Sequence, residues 1–141
     1  MSSNLVRWGR LSAMLGGVLW MVLRSLVLST WDSTLFGFGY VFYNRMMVIP
    51  LLLLIAGAVS LWRVAGRGGR WGVAIVVLGL AASLGGVMVE FWWAGGLSGN
   101  REGAMLGWGI YGLGLLGQAI GLAVFAFGAL RAPPPGLPYR Y

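Results

Sequence analysis

Four long apolar stretches divide the chain, separated by short polar or glycine-rich turns. The third is the clearest. Trp71 to Trp93 reads WGVAIVVLGLAASLGGVMVEFWW, with Glu90 as its single acid. Gly72, Gly79 and Gly86 recur in it every seven residues, and Trp93 takes the next place in that series. Ser83 and Glu90 follow Gly79 and Gly86 at i+4, so in a helix these four residues share one face. A face of small residues ending on a carboxylate belongs to a membrane helix packed closely against others.

The other three stretches repeat the theme. In the first, about 11–31, Arg10, Gly17, Arg24 and Trp31 lie at seven-residue intervals. In the second, about 44–62, Pro50 and Gly57 lie seven apart, and Pro50 is placed to kink the helix near its start. In the fourth, about 104–130, Gly107, Gly114, Gly121 and Gly128 form another ladder. At roughly 1.5 Å per residue, stretches of this length cross a hydrocarbon core about 30 Å thick. The seven-residue period favours left-handed packing with helices crossing at about 20°. The pattern therefore predicts an all-α integral membrane protein: an up-down four-helix transmembrane bundle with glycine-rich heptad packing. Residues 1–10 form a polar N-terminus, 11–130 the transmembrane domain with spans at 11–31, 44–62, 71–93 and 104–130, and 131–141 a Pro-rich tail. The basic start and apolar run look like a signal peptide, but Arg24 interrupts the run and no small-x-small cleavage pattern ends it, so a retained anchor is expected.

Between the first two spans, Phe36, Phe38, Tyr40 and Phe42 alternate with Gly37, Gly39, Val41 and Tyr43. Aromatic rings beside a span are expected at the lipid–water boundary. A lid over an outer cavity is the alternative for 36–43.

Composition strengthens the membrane reading. Apolar residues make up 59% and charged residues 9%, where soluble domains carry about 25% charged. The net charge of +7 would suggest nucleic acid in a soluble protein. Here the charges sit at span ends, which points to topology and anionic lipid, with no nucleic acid as partner. Arg7, Arg10, Arg63, Arg67, Arg70, Arg131 and Arg140 fall on one side without an acid. Asp32, Arg45, Glu90, Arg101 and Glu102 fall on or near the other. The positive-inside rule then puts both termini in the cytoplasm of a multi-pass cell-membrane protein. All ten basic residues are arginine, a bias expected of a GC-rich bacterium and hence of a bacterial inner membrane.

The chain has no cysteine and no histidine. That removes thiol nucleophiles, disulfides and the commonest general base and metal ligand. No catalytic site, metal or cofactor is expected, and the chain is read as not an enzyme. Its size is that of small multidrug transporters, but those carry their essential glutamate in the first span, where this chain has Arg24. Claudin-like proteins and the membrane thiol enzymes that reduce quinones need cysteines that are absent here.

Two residues remain for chemistry. Arg24 and Glu90 each lie inside an apolar span and on its small-residue face. An unpaired arginine at mid-membrane costs about 2.5 to 3.5 kcal/mol on insertion scales, so a partner for Arg24 is expected. The pair reads either as a structural ion pair or as a proton or ligand site, with Asp32 and Trp93 beside it. Trp92, Trp93, Trp108 and Tyr111 are expected in the interfacial belt or, alternatively, as an aromatic box. Arg63, Arg67 and Arg70 are expected to touch lipid headgroups. The leading functional expectation is a small non-enzymatic accessory or scaffold subunit of a larger membrane assembly, with other membrane-protein subunits or further copies as partners alongside the lipid bilayer. The alternative is a small transporter or binding protein for a lipophilic or cationic ligand, using Glu90 with Arg24.

Overall fold

The computed structural model describes residues 2–131. Met1 and residues 132–141, and with them the Pro-rich tail and Arg140, lie outside the described residues, as do the side chains of Ser2 and Ser3. Five α-helices follow one another: α1 (Ser2–Ser29), α2 (Tyr40–Met46), α3 (Val48–Leu61), α4 (Arg67–Val87) and α5 (Arg101–Leu130). A π-helical turn, Met88–Trp93, continues α4. Among the described residues there is no strand, only an isolated bridge between Leu35 and Phe38. Four helical stretches, Asn4–Ser29, Tyr40–Leu61, Arg67–Trp93 and Arg101–Leu130, are long and apolar enough to cross a membrane.

The aromatic segment departs from its period-two pattern. Leu35 and Phe38 exchange backbone hydrogen bonds of 3.0 Å in both directions. Between them Phe36 and Gly37 both take positive φ, 53° and 81°, as a tight two-residue reversal requires. From Tyr40 the chain is helical, which turns Tyr43 inward and leaves Phe36 in the exposed turn. The Tyr43 hydroxyl donates to the Leu35 carbonyl at 2.7 Å and ties the turn to α2.

The second span is broken at Met47, between α2 and α3. Pro50 has no N–H to give the carbonyl of Met46, four residues before it. Met47 bonds back to Asn44 at 3.1 Å, a tighter turn between the two helices.

Neighbouring helices in the row α1–α3–α4–α5 pack in antiparallel pairs. Along α1 and α3, Gly9 faces Ser60, Ala13 faces Gly57, and Gly16 faces Leu53 and Leu54. Along α4 and α5 the facing positions are Gly72 with Phe125, Val76 with Gly121, Gly79 with Gln118, Ser83 with Gly114, Gly86 with Tyr111, and Glu90 with Gly107. Each of these α4–α5 pairs sets one glycine against a larger residue, and the glycine changes helix at every step. A Cβ on Gly79 would stand 2.6 Å from the Gln118 nitrogen, so the two backbones come that close only because it is absent. Gln118 bridges the same seam, donating to the Ser83 hydroxyl at 2.9 Å.

The buried core runs through Met47, Leu51, Ala58, Leu80, Val87, Phe91 and Tyr111. It is thickest toward the end where Glu90 lies. There α1 and α5, the outer helices of the row, come together through Arg24 and Tyr111.

Candidate functional site

Two glycines build the site. Gly86 leaves room on α4 for the backbone of Tyr111, and Gly107 leaves room on α5 for the backbone of Glu90. A Cβ on Gly86 would lie 2.5 Å from the Tyr111 nitrogen, and one on Gly107 would lie 2.5 Å from the Glu90 nitrogen. The two chemical side chains are thus carried on adjacent rungs of one close seam, and both reach the same cavity.

The π-helical turn sets the direction of Glu90. Ala94 donates to the Val89 carbonyl, five residues back, at 2.9 Å. Such a wide turn adds a residue to the helix and is frequent at functional sites. The extra residue also ends the glycine ladder. The Ala94 Cβ comes nearest to Gly103, with only the far edge of the Trp93 ring beside it, and Trp93 is 70% exposed. The carbonyls that the turn frees are taken up nearby. Gly96 donates to Glu90 O at 2.8 Å, and the Arg45 Nε donates to Phe91 O at 2.8 Å. The Arg45 guanidinium also lies 5.7 Å from the centroid of the Trp92 ring.

The cavity has a volume of about 280 Å³. It lies between α1 and α5, with α2 and the end of α4 as its remaining walls. Its polar groups are Arg24, Glu90, Asn44 and Tyr111, and its rings are Trp31, Phe91, Trp108 and Tyr111. Arg24 is half-buried. One of its terminal nitrogens donates to the Tyr111 hydroxyl at 2.9 Å. Its guanidinium stands 5.2 Å from the Tyr111 ring centroid and 5.7 Å from that of Trp20. The arginine thus has a hydroxyl acceptor and two aromatic faces, which together offset the cost of holding its charge in an apolar span.

Glu90 is also half-buried. Its carboxylate accepts no hydrogen bond from the described residues, whereas the arginine bond goes to Tyr111. No buried side-chain oxygen or nitrogen among the described residues is left without a partner, so the unbonded Glu90 oxygens open onto the cavity.

The structure therefore brings Arg24 and Glu90 to one cavity but does not join them by a hydrogen bond. Asp32 is exposed in the turn after α1, and neither it nor Trp93 lines the cavity. Of the aromatic group at this end, Trp108 and Tyr111 line the cavity, while Trp92 and Trp93 face outward. Asn44 and Met47 are wall residues that the sequence did not single out. Asn44 reads as the first residue of a span, and only the earlier helix start at Tyr40 turns it inward. At the opposite end, Arg63, Arg67 and Arg70 are exposed, and Arg67 shares a shallow groove with Arg131.

Among the described residues, the arrangement defines an all-helical protein with four helices long and apolar enough to cross a membrane and a mixed-charge cavity at the Glu90 end. No protein-family model, no curated protein and no solved structure matches the chain.

Proposed function

We propose that this chain is a small, non-enzymatic, multi-pass protein of a bacterial inner membrane, whose cavity binds or carries a small lipophilic, charge-bearing ligand. Both termini then lie in the cytoplasm and the cavity sits at the outer end. The distribution of arginines supports this orientation, and the close α4–α5 seam supports a bundle held by glycine contacts rather than by hydrophobic drive. The observation that carries the binding reading is the cavity itself. It presents an arginine and a carboxylate that do not neutralise each other through a hydrogen bond, within walls that are mainly aromatic and aliphatic. A few placed polar groups in an apolar concavity are the mark of a small-molecule site.

A role as accessory or scaffold subunit of a larger assembly is the second reading. The exposed apolar faces of α1 and α5, with Trp8, Leu28, Leu113 and Phe127 each at least 65% exposed, are surfaces that another subunit could cover in place of lipid. One experiment separates the two. Gentle purification from the native membrane, with mass spectrometry of everything that comes along, is expected to find a small molecule near one per chain. The same molecule is expected to be absent from Glu90→Gln, which keeps its helix content. A stoichiometric larger protein and no small molecule would instead establish the subunit reading.

A further inference from the structure

The cavity holds one basic and one acidic group, Arg24 and Glu90, and that pairing restricts its ligand. A simple cation that approaches Glu90 also meets Arg24, and a simple anion that approaches Arg24 also meets Glu90. In a site of low dielectric each like-charge approach is costly. A ligand carrying both signs avoids both penalties and gains both attractions. The side chains are ready for it. A guanidinium has five N–H donors, and in this structure one hydrogen bond of Arg24 is assigned, to Tyr111. As the Tyr111 hydroxyl accepts from Arg24, its own proton remains available to an anionic group. The Glu90 carboxylate has all its acceptor positions open. Arg45 does not line the cavity and is engaged by Phe91 O and the Trp92 ring.

Size narrows the class further. A dry cavity of about 150 Å³ holds a benzene ring, so one of about 280 Å³ holds on the order of a dozen non-hydrogen atoms. The rings of Trp31, Phe91 and Trp108 suit an apolar body of that size.

Building on the binding reading above, we infer that the ligand is a zwitterion with an apolar body, its ammonium group held by Glu90 and its carboxylate or phosphate held by Arg24 and Tyr111. Two sources share this chemistry: a free amino acid with a large apolar side chain, and a zwitterionic phospholipid whose chains run into the surrounding lipid.

The test is native mass spectrometry of the full chain in detergent micelles, with five probes of graded charge. L-Phenylalanine, 2-phenylethylamine and 3-phenylpropionate carry the same ring with both charges, the positive charge alone and the negative charge alone. Phosphatidylethanolamine and phosphatidylglycerol of identical acyl chains compare both charges with the negative charge alone for lipids. A zwitterion of one source or the other is expected to be retained, with its singly charged analogues about tenfold weaker, as one lost charge-assisted contact gives. The arm that shows this preference identifies the source. Arg24→Gln is expected to erase the preference over the amine, and Glu90→Gln the preference over the carboxylic acid. Because these are changes of preference, a variant that merely misfolds cannot imitate them. If singly charged probes bind as tightly as the zwitterions, the inference is wrong, while the chamber still binds ligands. If none of the five is retained, the inference falls too, and the binding reading falls with it only when nothing co-purifies from the native membrane.

Discussion

Arg24 shows how a charge survives inside an apolar helix without a salt bridge. Its hydroxyl acceptor and one aromatic face come from Tyr111 on α5 and the other face from Trp20 on α1 itself, so the residue joins α1 to α5 as well as stabilising itself. Tyr111→Phe removes the acceptor and keeps the ring. A hydrogen bond to a charged group contributes about 1.5 to 3 kcal/mol, and partial exposure of Arg24 puts the expected loss near the lower end. Unfolding in detergent micelles should therefore show Tyr111→Phe destabilised by about 1 to 2 kcal/mol. Equal stability of variant and parent would mean that the rings alone hold the arginine. At this scale the sequence was half legible. Arg24 and Glu90 stood out as the charges inside apolar spans, and a partner for Arg24 was expected. Its identity was hidden, because linear spacing does not say which helix stands across from which. A carboxylate was the expected partner, and a phenol on the farthest helix is the one found.

At the scale of elements, the α4–α5 seam is the firmest feature and also the most readable. Both glycine ladders were visible as seven-residue repeats, and the facing pairs show them interleaved. A substitution in the seam should behave unlike one outside it. A Cβ on Gly114 would stand 2.5 Å from the Ser83 nitrogen and 2.6 Å from the Gly79 carbonyl, whereas one on Gly112 meets nothing within 4 Å. Gly114→Leu is expected to cost at least the 1 to 3 kcal/mol or so of an overpacked core and to lower yield in the membrane. Gly112→Ala is expected to be neutral or to stabilise by about 0.5 to 1 kcal/mol, since glycine is a weak helix former. Thermal unfolding of the two variants side by side checks this, and equal effects would show that the seam tolerates separation. The π-helical turn was not legible. Its sequence, MVEFWW, carries no breaker, and it is visible only in the hydrogen bonds that close around Val89 and Glu90. The ladder consequently pointed to Trp93 where the fold places Ala94.

For the molecule as a whole, four helices long and apolar enough to cross a membrane could be read from hydropathy because length and apolarity are local properties. Their arrangement in a row could not, since lipid-facing and protein-facing apolar surfaces look alike in sequence. The proposed orientation is directly testable, because the chain has no cysteine to interfere. Single cysteines at Ser33 and Ser98, both exposed at the Glu90 end, are expected to react with a membrane-impermeant maleimide in intact cells. One at Arg67, exposed at the other end, should react only after permeabilisation. The reverse labelling would invert the protein in the membrane and move the cavity to the cytoplasmic side.

The row of helices has a mechanical consequence. It consists of two tight antiparallel pairs, α1 with α3 and α4 with α5, joined along a spine where α3 meets α4 and where α2 meets the π-helical turn through Arg45 and Phe91. Along the free margins, the clasp is the contact between Arg24 and Tyr111. Two leaves on one spine can part without either leaf losing its own packing. In the proposed binding role, admission of a guest to the space between them would be governed by one hydrogen bond and one ring face, both from Tyr111, while the integrity of the leaves is governed by glycines elsewhere. Entry and folding become separately adjustable properties of the same short chain.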